Sequence, residues 1–142
     1  MKSEEYKTEE SCVTNHRLPE KMRSHKDLDA WKKSMDLVDS IYKVTKSFPN
    51  EELYSLTNQM RRAAISIPSN VAEGAARGSR NEFIQFPYIA LGSLSELETQ
   101  VIIADRLGYL TGPSRLSESI EVIRKLINGL IYSLKRDRGK NE

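Results

Sequence analysis

Leu28-Asp29-Ala30-Trp31-Lys32-Lys33-Ser34-Met35-Asp36-Leu37-Val38-Asp39-Ser40-Ile41-Tyr42 is the stretch from which the fold is read. Leu28, Trp31, Met35, Val38, Tyr42 and Thr45 recur at alternating steps of three and four, the spacing of one face of an α-helix. A second seam, Leu37, Ile41, Val44 and Phe48, runs beside the first, and two adjacent seams make a helix that touches more than one neighbour. Phe48-Pro49-Asn50 ends this helix, because proline lacks a donor and disfavours helical geometry in the residue before it.

The same period continues beyond the break. With Asn50 as its cap, a second helix carries Leu53, Leu56, Met60, Ala63 and Ile67 toward Arg77, and Gly78 supplies a left-handed stop. Ser79 and Glu82 have the spacing of a capping box that opens a third helix. That helix carries Phe83, Phe86, Ala90, Leu94, Leu97, Val101, Ala104 and Leu107, with Gly108 near its end. After Thr111-Gly112-Pro113-Ser114, a fourth stripe runs through Leu116, Ile120, Ile123, Ile127, Leu130 and Leu134. No segment alternates strictly as a half-buried strand does. Four amphipathic helices joined by short turns predict an all-α fold, an antiparallel up-down-up-down four-helix bundle over residues 25–138.

Two prolines interrupt the pattern. Pro68 lies mid-way along the second helix and Pro87 within the first two or three turns of the third, so both helices are expected to bend there. Each bend frees a carbonyl, at residue 64 or 83. Ser66, Ser69, Asn70 and Glu73 surround Pro68. They serve either as local repair of that carbonyl or, for Asn70 and Glu73, as a contact with a partner helix or subunit.

Residues 1–24 hold five basic and five acidic side chains with no apolar period, which predicts a mobile tail. A short C-terminal tail is expected at 139–142. The 142 residues suit one domain, and 38% hydrophobic against 30% charged residues suits a soluble globular chain. No apolar run approaches the roughly 20 residues of a membrane span. With no secretory h-region at the start, a cytoplasmic location is expected. One cysteine, Cys12, permits neither an internal disulfide nor a cysteine-based zinc site.

The motifs of catalysis are missing. The two histidines, His16 and His25, lie in the tail and at the edge of the first helix, so neither a Glu-x-x-His metal bundle nor a histidine-activated nucleophile can be assembled. Glu96 and Glu98 point to different sides of a helix. Gly74 and Gly78 lack the lysine and hydroxyl of a phosphate loop. Hence no enzyme activity, metal or cofactor is expected.

Basic residues cluster locally as Arg61 with Arg62, as Arg77 with Arg80, and as Lys135, Arg136, Arg138 and Lys140. These are the candidate phosphate contacts. The competing reading is structural: Arg77 pairs with Glu73 one turn away, the C-terminal cations complement a helix dipole, and Lys32, Lys33, Lys43 and Lys46 form a solvated face. With a formal charge of only +2, long-range attraction to nucleic acid is weak. The scattered tyrosines, Tyr42, Tyr54, Tyr88, Tyr109 and Tyr132, are expected to close bundle ends rather than stack bases.

The run from Leu28 to Leu37, then Phe48-Pro49, Leu56, Gln59 and Arg61-Arg62-Ala63-Ala64, resembles the four-helix-bundle proteins encoded in 23S rRNA intervening sequences. The most specific string is Ser66-Ile67-Pro68-Ser69-Asn70-Val71-Ala72-Glu73-Gly74, followed by Glu82-Phe83 and Gly92-Ser93-Leu94-Ser95-Glu96-Leu97-Glu98-Thr99-Gln100. The resemblance runs from about Lys26 to Leu134. It implies a small non-catalytic bacterial bundle that assembles into a ring, a homopentamer, in a family labelled ribosomal. It further implies an RNA- or DNA-associated accessory role, because a related bundle serves the reverse transcriptase of diversity-generating retroelements. A scaffold that binds a protein such as that enzyme, without touching nucleic acid, is the alternative. Pro87 and Leu91 depart from the pattern: the first implies a sharper bend, and the second removes a charge from a face that would meet RNA.

Overall fold

The computed structural model describes residues 24–140, with side chains described as far as Arg136. The readings placed on residues 1–23, including the tail, His16 and Cys12, and those on 141–142 lie outside the described residues. Among the described residues there are four long helices and no strand. They are α1 (Asp29–Thr45), α2 (Leu56–Ala75), α3 (Gln85–Arg106) and α4 (Ser114–Lys140).

Each helix packs against two others, α1 on α2, α2 on α3, α3 on α4 and α4 on α1, so the four enclose one core. Met60, Ile67, Leu94, Leu97, Ile120, Ile123, Ile127 and Leu134 are fully enclosed there, each worth about 1.5–3 kcal/mol of burial. The fourth stripe is buried at every position read from the sequence, Leu116 to Leu134.

In α1 the buried line draws on both seams and on two small residues outside them. Ala30, Ser34, Leu37, Ile41 and Thr45 form it, while Met35 and Tyr42 of the first seam are 41% and 37% exposed. Small residues decide this: Ser34 and Thr45 turn their hydroxyls onto the Ala30 and Ile41 carbonyls, so both are buried without an unmet donor. Leu53 and Leu107, read as core, are also exposed, because each lies outside the helix whose period it seemed to extend.

Several boundaries differ from the sequence reading, each for a local reason. Ser24 and Asp27 form a capping box around a single 3-10 turn before α1. Asn50 does not cap α2; it opens a 3-10 turn, Asn50–Glu52, and α2 starts at Leu56, whose N–H donates to the Glu52 carboxylate at 3.3 Å. Gly78 is not a left-handed stop. Positive φ among the described residues falls on Gly108 (78°) and Gly112 (83°), and α2 ends at Ala75 with the Ala76 N–H reaching back to Ala72.

The third helix is parted. A one-turn helix, Arg80–Phe83, is separated by Ile84 from α3. Pro87 explains the division: as the third residue of α3 it needs no N–H donor, whereas in a continuous helix its ring would clash with the Phe83 carbonyl. Ser79 accepts from the Glu82 N–H at 3.2 Å, the first half of the expected capping box. At the other end of α3, Tyr109 N–H returns to the Ala104 carbonyl at 2.9 Å around Gly108.

Candidate nucleic-acid interface

Structure separates the candidate cations into two groups. Arg61 is half-buried against the last turns of α1: its Nε donates to Thr45 Oγ1 at 2.9 Å, and its guanidinium lies 4.6 Å from the Tyr42 ring centroid. Arg61 is thereby committed to joining α1 and α2. Arg62, beside it, is exposed.

Arg77 follows the end of α2, about 24 Å from Arg61 at helical rise. It pairs with the Glu73 carboxylate at 3.0 Å, as its spacing predicted, and lies 4.7 Å from the Phe86 ring centroid. Lys135, on the last turns of α4, lies 5.4 Å from the Tyr88 ring centroid. Phe86 and Tyr88 both belong to the first turn of α3 but stand two residues apart, on different sides of the helix, so that Arg77 from the end of α2 and Lys135 from α4 meet this turn from different sides. Arg80 is half-buried in the one-turn helix before it, and Arg136 is exposed next to Lys135. The side chain of Arg138 lies outside the described residues. A cation over an aromatic face gains about 0.5–1 kcal/mol at an exposed site. The aromatic face thus fixes a cation that remains accessible.

The string around Pro68 is a link between helices. Asn70 Nδ2 donates to the Ser66 carbonyl at 2.8 Å and to Ser66 Oγ at 3.0 Å, and Ser66 Oγ stands 2.7 Å from Ser93 Oγ on α3. The Asn70 amide therefore serves Ser66 rather than the carbonyl of Ala64. Glu73 turns to Arg77 on its own side of the chain. Gly74 is where backbones approach: a Cβ there would lie 2.8 Å from Phe86 Cβ and 3.0 Å from the Phe83 carbonyl oxygen. At Gly92, by contrast, a Cβ would meet nothing within 4 Å.

Arg124 was not singled out in the sequence. Its guanidinium joins Glu98 at 2.9 Å and Ser95 at 3.2 Å on α3, and Glu121 at 3.1 Å on α4. The i, i+3 spacing to Glu121 was legible, but the α3 partners required knowing which faces meet. Glu98 is thus held in an ion pair, and Glu96 accepts from Gln100 Nε2 at 3.3 Å. His25 stacks edge-on to Trp31 with centroids 5.2 Å apart. The tyrosines mostly do not seal the ends: Tyr54 is 90% exposed and Tyr132 56%, whereas Tyr109 packs on Phe48 with centroids 5.3 Å apart. Among the described residues no group of three or more His, Cys, Asp or Glu could hold a metal ion, and no helix is long and apolar enough to cross a membrane.

Fold and surface together define a four-helix protein with cation–aromatic contacts on two sides of the start of α3, Arg77 on Phe86 and Lys135 on Tyr88. The profile of the 23S rRNA-intervening sequence protein family matches residues 26–129, and the chain belongs to that family. No curated protein matches the chain.

Proposed function

We propose that this protein is a non-catalytic, cytoplasmic accessory factor that associates with RNA as a homo-oligomer, a ring of five copies. The observation that carries the reading is a pair of accessible cations at the start of α3, Arg77 over Phe86 on one side and Lys135 over Tyr88 on the other, with exposed Arg136 next to Lys135, on a chain of this family. Cations held in place this way contact phosphates. Five copies raise a formal charge of +2 to about +10, and linked patches act at high effective concentration.

The bundle is antiparallel, up-down-up-down. Its support lies in paired contacts: Ser66 meets Ser93 while Gly74 meets Phe86, and Glu98 meets Arg124 while Tyr88 meets Lys135. In both pairs one number climbs as the other falls. Pro68 bends α2, and Pro87 sets the angle between the one-turn helix and α3. Self-association uses the outer face of α3, where Ile89, Ile102 and Ile103 are 42–51% exposed.

Fluorescence polarisation with structured RNA at about 50 mM salt, where phosphate contacts are strong, tests the reading. Saturable binding that Arg77→Ala, Lys135→Ala and Arg136→Ala weaken supports it, and absence of binding refutes it. A scaffold for another protein, such as a reverse transcriptase, is the second reading. Met35 and Ile65, 41% and 42% exposed on α1 and α2, favour it as apolar contacts away from α3. Capture of such a partner that survives nuclease and high salt would select it.

A further inference from the structure

A recess of about 430 Å³ opens between the last turns of α1, the segment Tyr109–Pro113 and the first turns of α4. Two cations line it, Lys43 and Arg115, and no carboxylate is among its lining residues. Among the described residues neither cation has a carboxylate within ion-pair distance. In the sequence Lys43 reads as one member of a solvated face; in the fold it shares a concavity with a cation more than seventy positions away.

Four serine and threonine hydroxyls share the lining with the Tyr109 phenol. Ser40 and Ser47 donate to carbonyls of α1, at 3.2 and 3.1 Å, whereas Thr111 and Ser119 make no such bond and are available as donors. The rest of the wall is apolar, with Val44, Leu110 and buried Leu116. Tyr109, held by its packing on Phe48, completes it. Glu52 and Glu51 act on the Tyr109 phenol, while Lys43 and Arg115 have no ion pair among the described residues; two such cations with hydroxyl donors suit an anion with several acceptor oxygens. The apolar wall and a volume within the range of small-ligand sites suit an organic body attached to that anion.

We infer that this recess binds the phosphate of a nucleotide, with Lys43 and Arg115 on the phosphate oxygens and the nucleoside against the apolar wall. The phosphate belongs either to a free nucleotide or to the phosphorylated end of a nucleic-acid strand. Arg115 lies twenty residues before Lys135, about 30 Å along α4 at helical rise, so the recess is separate from the cations at the start of α3.

Calorimetric titration of the full chain with AMP, and with a short RNA carrying or lacking a terminal phosphate, tests the inference. Saturable binding is expected, competed by inorganic phosphate and weakened about tenfold or more in the Lys43→Ala/Arg115→Ala double variant. Both positions are exposed, so circular dichroism of that variant should match the parent, and Lys125→Ala on the same helix should leave affinity unchanged. Equal binding of AMP and phosphorylated RNA identifies a free nucleotide as sufficient; preference for the phosphorylated strand over AMP and over the unphosphorylated strand identifies a strand end. Failure of both AMP and phosphorylated RNA to saturate, or a double variant that binds like the parent, overturns it. RNA affinity measured on Arg77→Ala reports on the other end of the molecule and fails or succeeds separately.

Discussion

Two glycines show how much a single hydrogen counts in this fold. Gly74 faces the Phe86 Cβ and the Phe83 backbone, which cannot rotate away, so Gly74→Ala is expected to destabilise by about 1–3 kcal/mol in urea unfolding. Gly92 sits in α3 with open space around it; within one subunit Gly92→Ala should stabilise by about 0.5–1 kcal/mol by restricting the unfolded chain. Tyr109 makes a pH prediction. Partial burial, then the charges of Glu52 and Glu51, hold its phenol above the usual value of 10.0. The folded state therefore keeps a proton that the unfolded chain releases. Its stabilising contribution is complete below pH 10 and is lost as pH rises beyond it. Unfolding series run on either side of that pH should fall less steeply for Tyr109→Phe than for the parent.

At the scale of the element, helical period was legible and helix ends were less so. Leu116 to Leu134 could be read position by position because α4 is long, unbroken and flanked by Gly112-Pro113. The burial of Ser34 in α1 is not legible from its period, because a serine looks polar and only its bond to the preceding Ala30 carbonyl makes it suitable for burial. Pro87 announced a disturbance but not its form, since a proline is as compatible with the first turn of a new helix as with a kink. The Ser66–Ser93 link belongs to this scale. Ser93→Ala should cost about 0.5–1.5 kcal/mol, and adding Ser66→Ala should cost less than the separate effects combined, as measured in a double-mutant cycle.

At the scale of the whole molecule, the sequence revealed which cations exist and concealed their company. Arg77 and Glu73 were legible from their spacing; that Arg77 and Lys135 converge on one turn of α3 depends on three helices meeting. Likewise Lys43 and Arg115 become neighbours only through tertiary packing. The proposed association through α3 gives a measurable outcome: Ile89→Glu with Ile103→Glu should lower the sedimenting mass while leaving helix content intact, because both residues face outward. RNA affinity should also fall linearly with the logarithm of salt, with a shallower slope when Arg77 and Lys135 are replaced by alanine.

α3 is greasy on both flanks, with Leu94 and Leu97 turned inward and Ile89 and Ile103 turned out. In the proposed oligomer it would stand as a party wall between adjoining rooms, whose two sides are sheltered only while both rooms stand. Diluting such an oligomer would strip the outer shelter and weaken each subunit too, so on that proposal the melting temperature should climb with protein concentration, and folding and assembly should respond as a single equilibrium.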